Sequence, residues 1–201
     1  MQVGLLYSRI RKDEKLLLGE LRERDHDVTK IDVRKQRFGI EEPPAAFEGV
    51  DVLLDRCLAT SRSLYATRFA DAYGVPIGNS ADTAEICADK VKNSLALAGA
   101  GVPTPNTEVA FTKEAALETI EDFGYPCVLK PVVGSWGRLM AKLDSRSAAE
   151  AVLEHKSTLG HYEHKVFYVQ EFVDKPGRDI RVLAADGNVI SAMVRSSDHW
   201  L

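Results

Sequence analysis

No apolar run in the 201-residue sequence approaches the ~20 residues that a membrane-spanning helix needs. The opening stretch, MQVGLLYSRIRKDEK, lacks the leading charge and the long apolar segment of a secretory signal. It reads as a strand that begins at once, so the expectation is a cytoplasmic protein with no membrane partner. Cysteine is scarce. Cys57, Cys87 and Cys127 are far apart, odd in number and without metal-ligand spacing, so they read as small buried residues in a reducing compartment. An excess of basic charge is lacking as well: 26 Lys and Arg stand against 30 Asp and Glu, a net charge of −4. A general nucleic-acid binder usually shows the opposite sign, so no nucleic-acid partner is expected. What is present is an ordinary globular balance, 45% apolar and 28% charged, in a chain long enough for one large domain or two small ones.

Short apolar runs alternate with amphipathic stretches over the first ~80 residues. Strands are predicted at 3–7, 28–33, 50–54 and 75–77, with helices at 14–24 and 61–73. That alternation argues for a parallel sheet with crossover helices. A single long helix is predicted from residue 82 to about residue 100, ended by Gly99, Gly101 and Pro103. The pattern then changes to a strand at 107–111, a helix at 113–123 and a strand at 127–132. A Gly-Ser-Trp-Gly turn leads into a strand at 139–143, then a helix at 147–155 and a strand at 165–173. Asp186-Gly187 between two apolar runs marks a hairpin, 179–185 with 189–194. The fold class expected is α/β: a Rossmann-like domain at 1–85, an α+β region with a glycine loop at 86–175, and the start of a further subdomain at 176–201.

The residues with chemistry cluster late in the chain. Gly134-Ser135-Trp136-Gly137-Arg138 frees the backbone to approach a ligand, and successive peptide N–H groups can cradle phosphate oxygens. It is not a P-loop, because no Gly-Lys-Ser/Thr follows and a strand comes next; read alone, it is a glycine-bearing hairpin. Lys130 ends an apolar strand just before Pro131, and Lys90 follows Asp89 on the earlier helix. Either lysine alone reads as a solvated surface charge. Two lysines, a flexible loop and Arg138 together make an anion clamp that fits a triphosphate. The segment Tyr168-Val169-Gln170-Glu171-Phe172-Val173 reads either as a mixed-face edge strand or as an extended hinge offering backbone groups to an adenine edge. Asp179 supplies a carboxylate near where ribose hydroxyls would lie.

In order, Asp89-Lys90, VLKPVVGSWGR (128–138), YVQEFV (168–173) and PGRDIRV (176–182) resemble the ATP-grasp carboxylate–amine ligases, and within them the LysX and RimK-like branch. The resemblance runs the length of the chain. It implies that Lys90 and Lys130 contact the ATP phosphates, with Gly134, Ser135, Trp136, Gly137 and Arg138 forming a mobile loop over them. Gln170, Glu171, Phe172 and Val173 would form the adenine hinge, Asp179 would hold the ribose, and Arg181 would be a further hinge-side contact. Arg195 would be catalytic, facing the transferred phosphate or the substrate carboxylate, and His199 would lie beside the substrate.

The resemblance also implies a reaction. ATP would phosphorylate a carboxylate to an acylphosphate, from which an amine displaces phosphate. In this branch the carboxylate is the terminal glutamate of a small acidic amino-group carrier protein, LysW-like, and the amine is that of α-aminoadipate or glutamate, in lysine or arginine biosynthesis. Magnesium is expected as a cofactor, but the family's acidic and asparagine ligands are expected beyond residue 201, which makes these residues a shortened, inactive form on that reading. A RimK-like glutamate ligase acting on another protein and a nucleotide-binding module without catalysis are the alternatives. Arg34, Lys35 and Arg37 cluster in an otherwise acidic chain, either as a solvated loop or as a surface for the acidic carrier. An apolar edge on the hairpin leads to the expectation of a homo-oligomer.

Overall fold

The computed structural model describes residues 1–134, 137–159 and 165–200, which fall into two units, Met1–Gly99 and Ala100–Leu201. In the first, β1 (Gln2–Tyr7), β2 (Asp27–Asp32), β3 (Val52–Arg56) and β4 (Ile77–Gly78) form a sheet in the order β2-β1-β3-β4. Every neighbouring pair is parallel. The crossovers are α1 (Lys12–Glu23) and α2 (Thr60–Ala72), as the alternating pattern predicted. Strand β1 is buried over Val3, Gly4, Leu5 and Leu6, as a central strand covered on both faces must be. The core joins Leu6, Ile31 and Leu53 of the sheet to Ala66 and Ala70 of α2 and to Phe47.

Gly4 is required by that packing. A Cβ there would lie 2.5 Å from Leu53 Cδ2, 3.1 Å from Val50 Cγ1 and 3.2 Å from Ile31 Cδ1. Three branched neighbours cannot all retreat in a filled core, so Gly4→Ala is expected to lower stability by about 1–2 kcal/mol, read by urea denaturation.

The single helix expected from residue 82 to about 100 is two: α3 (Ala81–Ala88) and α4 (Lys90–Gly99). Asp89 breaks it. Its backbone is extended (φ −117°, ψ 121°), and its carboxylate accepts the N–H groups of Val91 at 2.8 Å and Lys92 at 3.1 Å. An aspartate satisfies the first donors of a helix better than it serves an interior position, so a new helix starts there.

The second unit has an antiparallel sheet in the order β5-β8-β6-β7, from β5 (Thr107–Ala110), β6 (Cys127–Lys130), β7 (Ala141–Leu143) and β8 (Phe167–Glu171). Helices α5 (Lys113–Phe123) and α6 (Arg146–Leu159) cover one face. Cys127, Leu129, Leu143, Phe167 and Val169 point into this core with Ile120 and Leu153. Strand β6 stops at Lys130 rather than at residue 132, because Pro131 has no N–H to continue the ladder. Strand β7 starts later than expected, since Leu139 holds φ +60° and cannot be extended.

The tail is the hairpin of β9 (Arg178–Ala185) and β10 (Asn188–Ser196). Asp186 and Gly187 both have positive φ, 49° and 72°, the combination that a tight two-residue hairpin turn requires. A β-bulge at Ile190 shifts the pairing between Val189 and Ser191. No helix among the described residues is long and apolar enough to cross a membrane.

Candidate nucleotide-binding site

Strand alternation decides which side chains can meet a ligand on the second sheet. With Leu129 and Val169 turned to the helices, Lys130 on β6 and Tyr168 and Gln170 on β8 take the opposite face. Thr107 of β5 pairs with Gln170, and Lys142 of β7 pairs with Val128, so both belong to that face too. It is polar where the helix side is apolar.

Gln170 is its hub. Its amide oxygen accepts from Lys130 Nζ, and its Nε2 donates to Thr107 Oγ1 at 2.8 Å and to Tyr168 Oη at 3.2 Å. Only 9% of Gln170 is exposed, so the lysine leans on a fixed acceptor. The structure thus joins two residues that the sequence reading placed in different roles, phosphate contact and hinge.

Glu171 ends β8. Its N–H donates to the Asn106 carbonyl at 3.0 Å, and its carboxylate accepts the Asn106 N–H at 3.0 Å. This peptide group is therefore engaged, and the chain leaves the ladder at Phe172 and Val173, beyond the last pairing of Glu171 with Cys127. Lys142 Nζ lies 4.2 Å from the centroid of the Phe172 ring, a cation on an aromatic face. Sequence reasoning missed Thr107 and Lys142, and took Tyr168 only as the start of the hinge segment. The two-residue spacing of Tyr168 with Gln170 was a usable signal, while Lys142 needed the register.

Gly134 and Gly137 hold φ of 138° and 66°, a backbone region that residues with a side chain rarely adopt. Ser135 and Trp136 between them lie outside the described residues. Arg138 is exposed in the turn that follows. Lys90, in the first unit, opens α4 directly after its capping aspartate; burial pulls its ammonium below the ordinary lysine value, with Asp89 partly opposing.

On the hairpin, Asp179 faces Arg195, and the pair is bidentate: Nε to Oδ1 at 2.7 Å and Nη2 to Oδ2 at 2.8 Å. The guanidinium holds the Asp179 carboxyl below the usual carboxylate range, and Lys175 adds to this. Both line a 180 Å³ hollow with His199, so Asp179, Arg195 and His199 are brought together. Arg181 sits farther along β9, opposite Met193. Among the described residues no group of three or more His, Cys, Asp or Glu side chains is placed to hold a metal ion.

A parallel α/β unit joined to an antiparallel sheet with one polar, lysine-bearing face has the build of an ATP-grasp ligase. Residues 3–86 match the LysX preATP-grasp domain, and residues 87–199 match the RimK-like ATP-grasp domain. The chain belongs to the RimK-like ATP-grasp family. It is 30% identical over 202 residues to the glutamate–LysW ligase ArgX of Sulfolobus acidocaldarius, covering all of this chain and 71% of that protein. It is 31% identical over 202 residues to the α-aminoadipate–LysW ligase LysX of Sulfurisphaera tokodaii, again over all of this chain and 71% of that protein. Among solved structures, a RimK domain ATP-grasp protein from Sphaerobacter thermophilus superposes with a TM-score of 0.86 at 30% identity, covering 98% of this chain and 73% of that one.

Proposed function

We propose that this protein is an ATP-dependent ligase that joins glutamate or α-aminoadipate to the terminal glutamate of a small LysW-type carrier protein. The observation that carries the reading is the likeness, over the whole chain, to two ligases whose names share the carrier and differ in the amino acid. The residues support it. A carboxylate resists attack by an amine because it is anionic and has no leaving group. Transfer of the terminal phosphoryl group of ATP to it gives an acylphosphate, and the amine then displaces phosphate. The protein's work is to position the reactants and neutralise charge.

In this reading Lys130, fixed by Gln170, meets the phosphates together with Arg138. Phe172 and Val173 supply the adenine hinge, with Gln170 and Glu171 anchoring it. Asp179 and Arg195 serve ribose and transferred phosphate from one ion-paired unit, with Arg181 and His199 beside them. Magnesium would be held by residues other than those described, and no step here is assigned to it. A cytoplasmic setting and self-association through the hairpin's apolar edge belong to the same reading.

The test is a calorimetric titration with ATP, followed by an ADP-release assay with a LysW-type carrier in a form extended to the relatives' full length. Saturable ATP binding is expected, with ADP released only when carrier and amino acid are both present. ATP binding without that dependence would leave a nucleotide-binding module; glutamate against α-aminoadipate in the same assay assigns the amine.

A further inference from the structure

Beyond Glu171 the chain loses the support that a sheet gives. The last pairing of β8 is Glu171 with Cys127, and the peptide groups of Phe172 and Val173 enter no backbone hydrogen bond among the described residues. This stretch is held instead from its two sides. Toward β5, Glu171 exchanges two bonds with Asn106, each of 3.0 Å. Toward β7, at the far edge of the sheet, the Lys142 ammonium lies 4.2 Å from the centre of the Phe172 ring.

A lysine on an edge strand ordinarily has one task, to keep that edge hydrated and unpaired. Lys142 is placed for more. It pairs with Val128, which in turn pairs with Gln170, so the three lie abreast on the polar face. Neighbouring strands stand about 4.8 Å apart, so Lys142 and Phe172 meet only by leaning toward each other across β6. Val128 lies on β6 between them. It is only 5% exposed, although it has no place in the helix-side core. The clasp thus spans the strand on which Lys130 sits and fixes the first residue that the ladder releases.

Fixing that residue matters for which base the free peptide groups accept. Adenine offers an N6–H donor beside the N1 acceptor, and a carbonyl with a neighbouring N–H complements that edge. Guanine reverses both, with its O6 acceptor beside an N1–H donor. A rigid carbonyl and N–H therefore oppose guanine with like groups, whereas a peptide free to turn serves either base.

We propose that Lys142 is a positioning residue that sets nucleobase preference. Seated on the Phe172 ring, it holds the unpaired peptide groups of Phe172 and Val173 in the order that adenine needs and guanine opposes. The inference rests on the reading of this segment as the adenine hinge, and adds what keeps the hinge from turning.

The experiment compares ATP with GTP by calorimetry on the 201-residue chain and its variants. Lys142→Met keeps the stem and removes the cation, Lys142→Arg keeps a cation that stacks on rings, and Phe172→Leu removes the ring. The preference for ATP over GTP should fall about three- to tenfold in Lys142→Met and return towards the parent value in Lys142→Arg. Adding Lys142→Met to Phe172→Leu should lower it no further than Phe172→Leu alone, because the lysine acts through the ring. Lys142 is exposed on an edge strand, so its variants should melt as the parent does. A parent preference that survives Lys142→Met overturns the proposal and leaves the hinge reading standing. Equal weakening of both nucleotides is that result, with the lysine reduced to a plain charge for phosphate. A further fall in the double variant overturns it as well. A parent chain that binds both nucleotides alike, or neither, removes the hinge reading itself and this inference with it.

Discussion

Lys130→Met is expected to weaken ATP binding by about 10- to 100-fold while leaving the fold intact. Charge-assisted hydrogen bonds are worth about 1.5–3 kcal/mol each, and every 1.4 kcal/mol is roughly tenfold in affinity. Methionine keeps an unbranched apolar stem against the strand and removes only the ammonium. The structural loss is small because Gln170 keeps its bonds to Thr107 and Tyr168 when Lys130 no longer donates to it. Calorimetry with ATP and a thermal melt separate the two effects. A melt lowered by several degrees with ATP affinity unchanged would reassign Lys130 to holding the sheet together. Gln170→Met is the companion variant: if the amide orients the lysine, ATP affinity should fall here too, with the charge still present.

The second large effect is on stability. Glu14 on α1 is fully buried, yet its carboxylate is ionised, held by Arg11 at 2.7 Å and by Arg56 of β3 at 2.8 Å. The hydrogen bonds from Arg11, aided by Arg56 and opposed by burial, pull its pKa from 4.5 down to about 2. Because the folded value is depressed, the stabilisation is complete above the ordinary carboxylate range and is lost as pH falls from about 4.5 towards 2. Asp32, drawn down to about 2 chiefly by Arg34, acts in the same window. The contribution of Glu14 is therefore read as a difference between proteins. Glu14→Gln is expected to lose about 3 kcal/mol at neutral pH, since removing one partner strands the others. Its urea midpoint should also fall less steeply with acid than that of the parent. Parallel acid profiles in the two proteins would show that the pair adds nothing to folding.

Local signals carried most of the architecture. The limits of α5 came out as predicted, because Thr112 caps it, its side chain accepting the Ala115 N–H, and Gly124 ends it at a φ of 75° that favours glycine. The break at Asp89 was hidden because the apolar spacing of 82–100 runs on across it, and a capping aspartate looks like any solvent-facing one until the backbone turns. Lys130 and the glycines stood out by residue type and position. The partner that fixes Lys130 did not, since Gln170 is 40 residues away and meets it only through the pairing of β6 with β8. Contacts set by register across a sheet are not written in any local window.

The bulge at Ile190 has a consequence for how this tail can evolve. Counting outward from the Asp186-Gly187 turn in plain register, Asn188 faces Ala185 and Val189 faces Ala184, and Arg195 would come to face Arg178. The one extra residue advances the count, so Arg195 meets Asp179 instead and two arginines are kept from lying opposite each other. Point substitutions along the hairpin change one side chain at a time. A single-residue insertion in β10 between the bulge and Arg195 would move every later position by one step, turning an ion pair into a repulsion and exchanging the strand's two faces. Descendants of this sequence can therefore exchange the exposed residues outside Asp179, Arg195 and the Asp186-Gly187 turn more readily than they can change the length of this stretch.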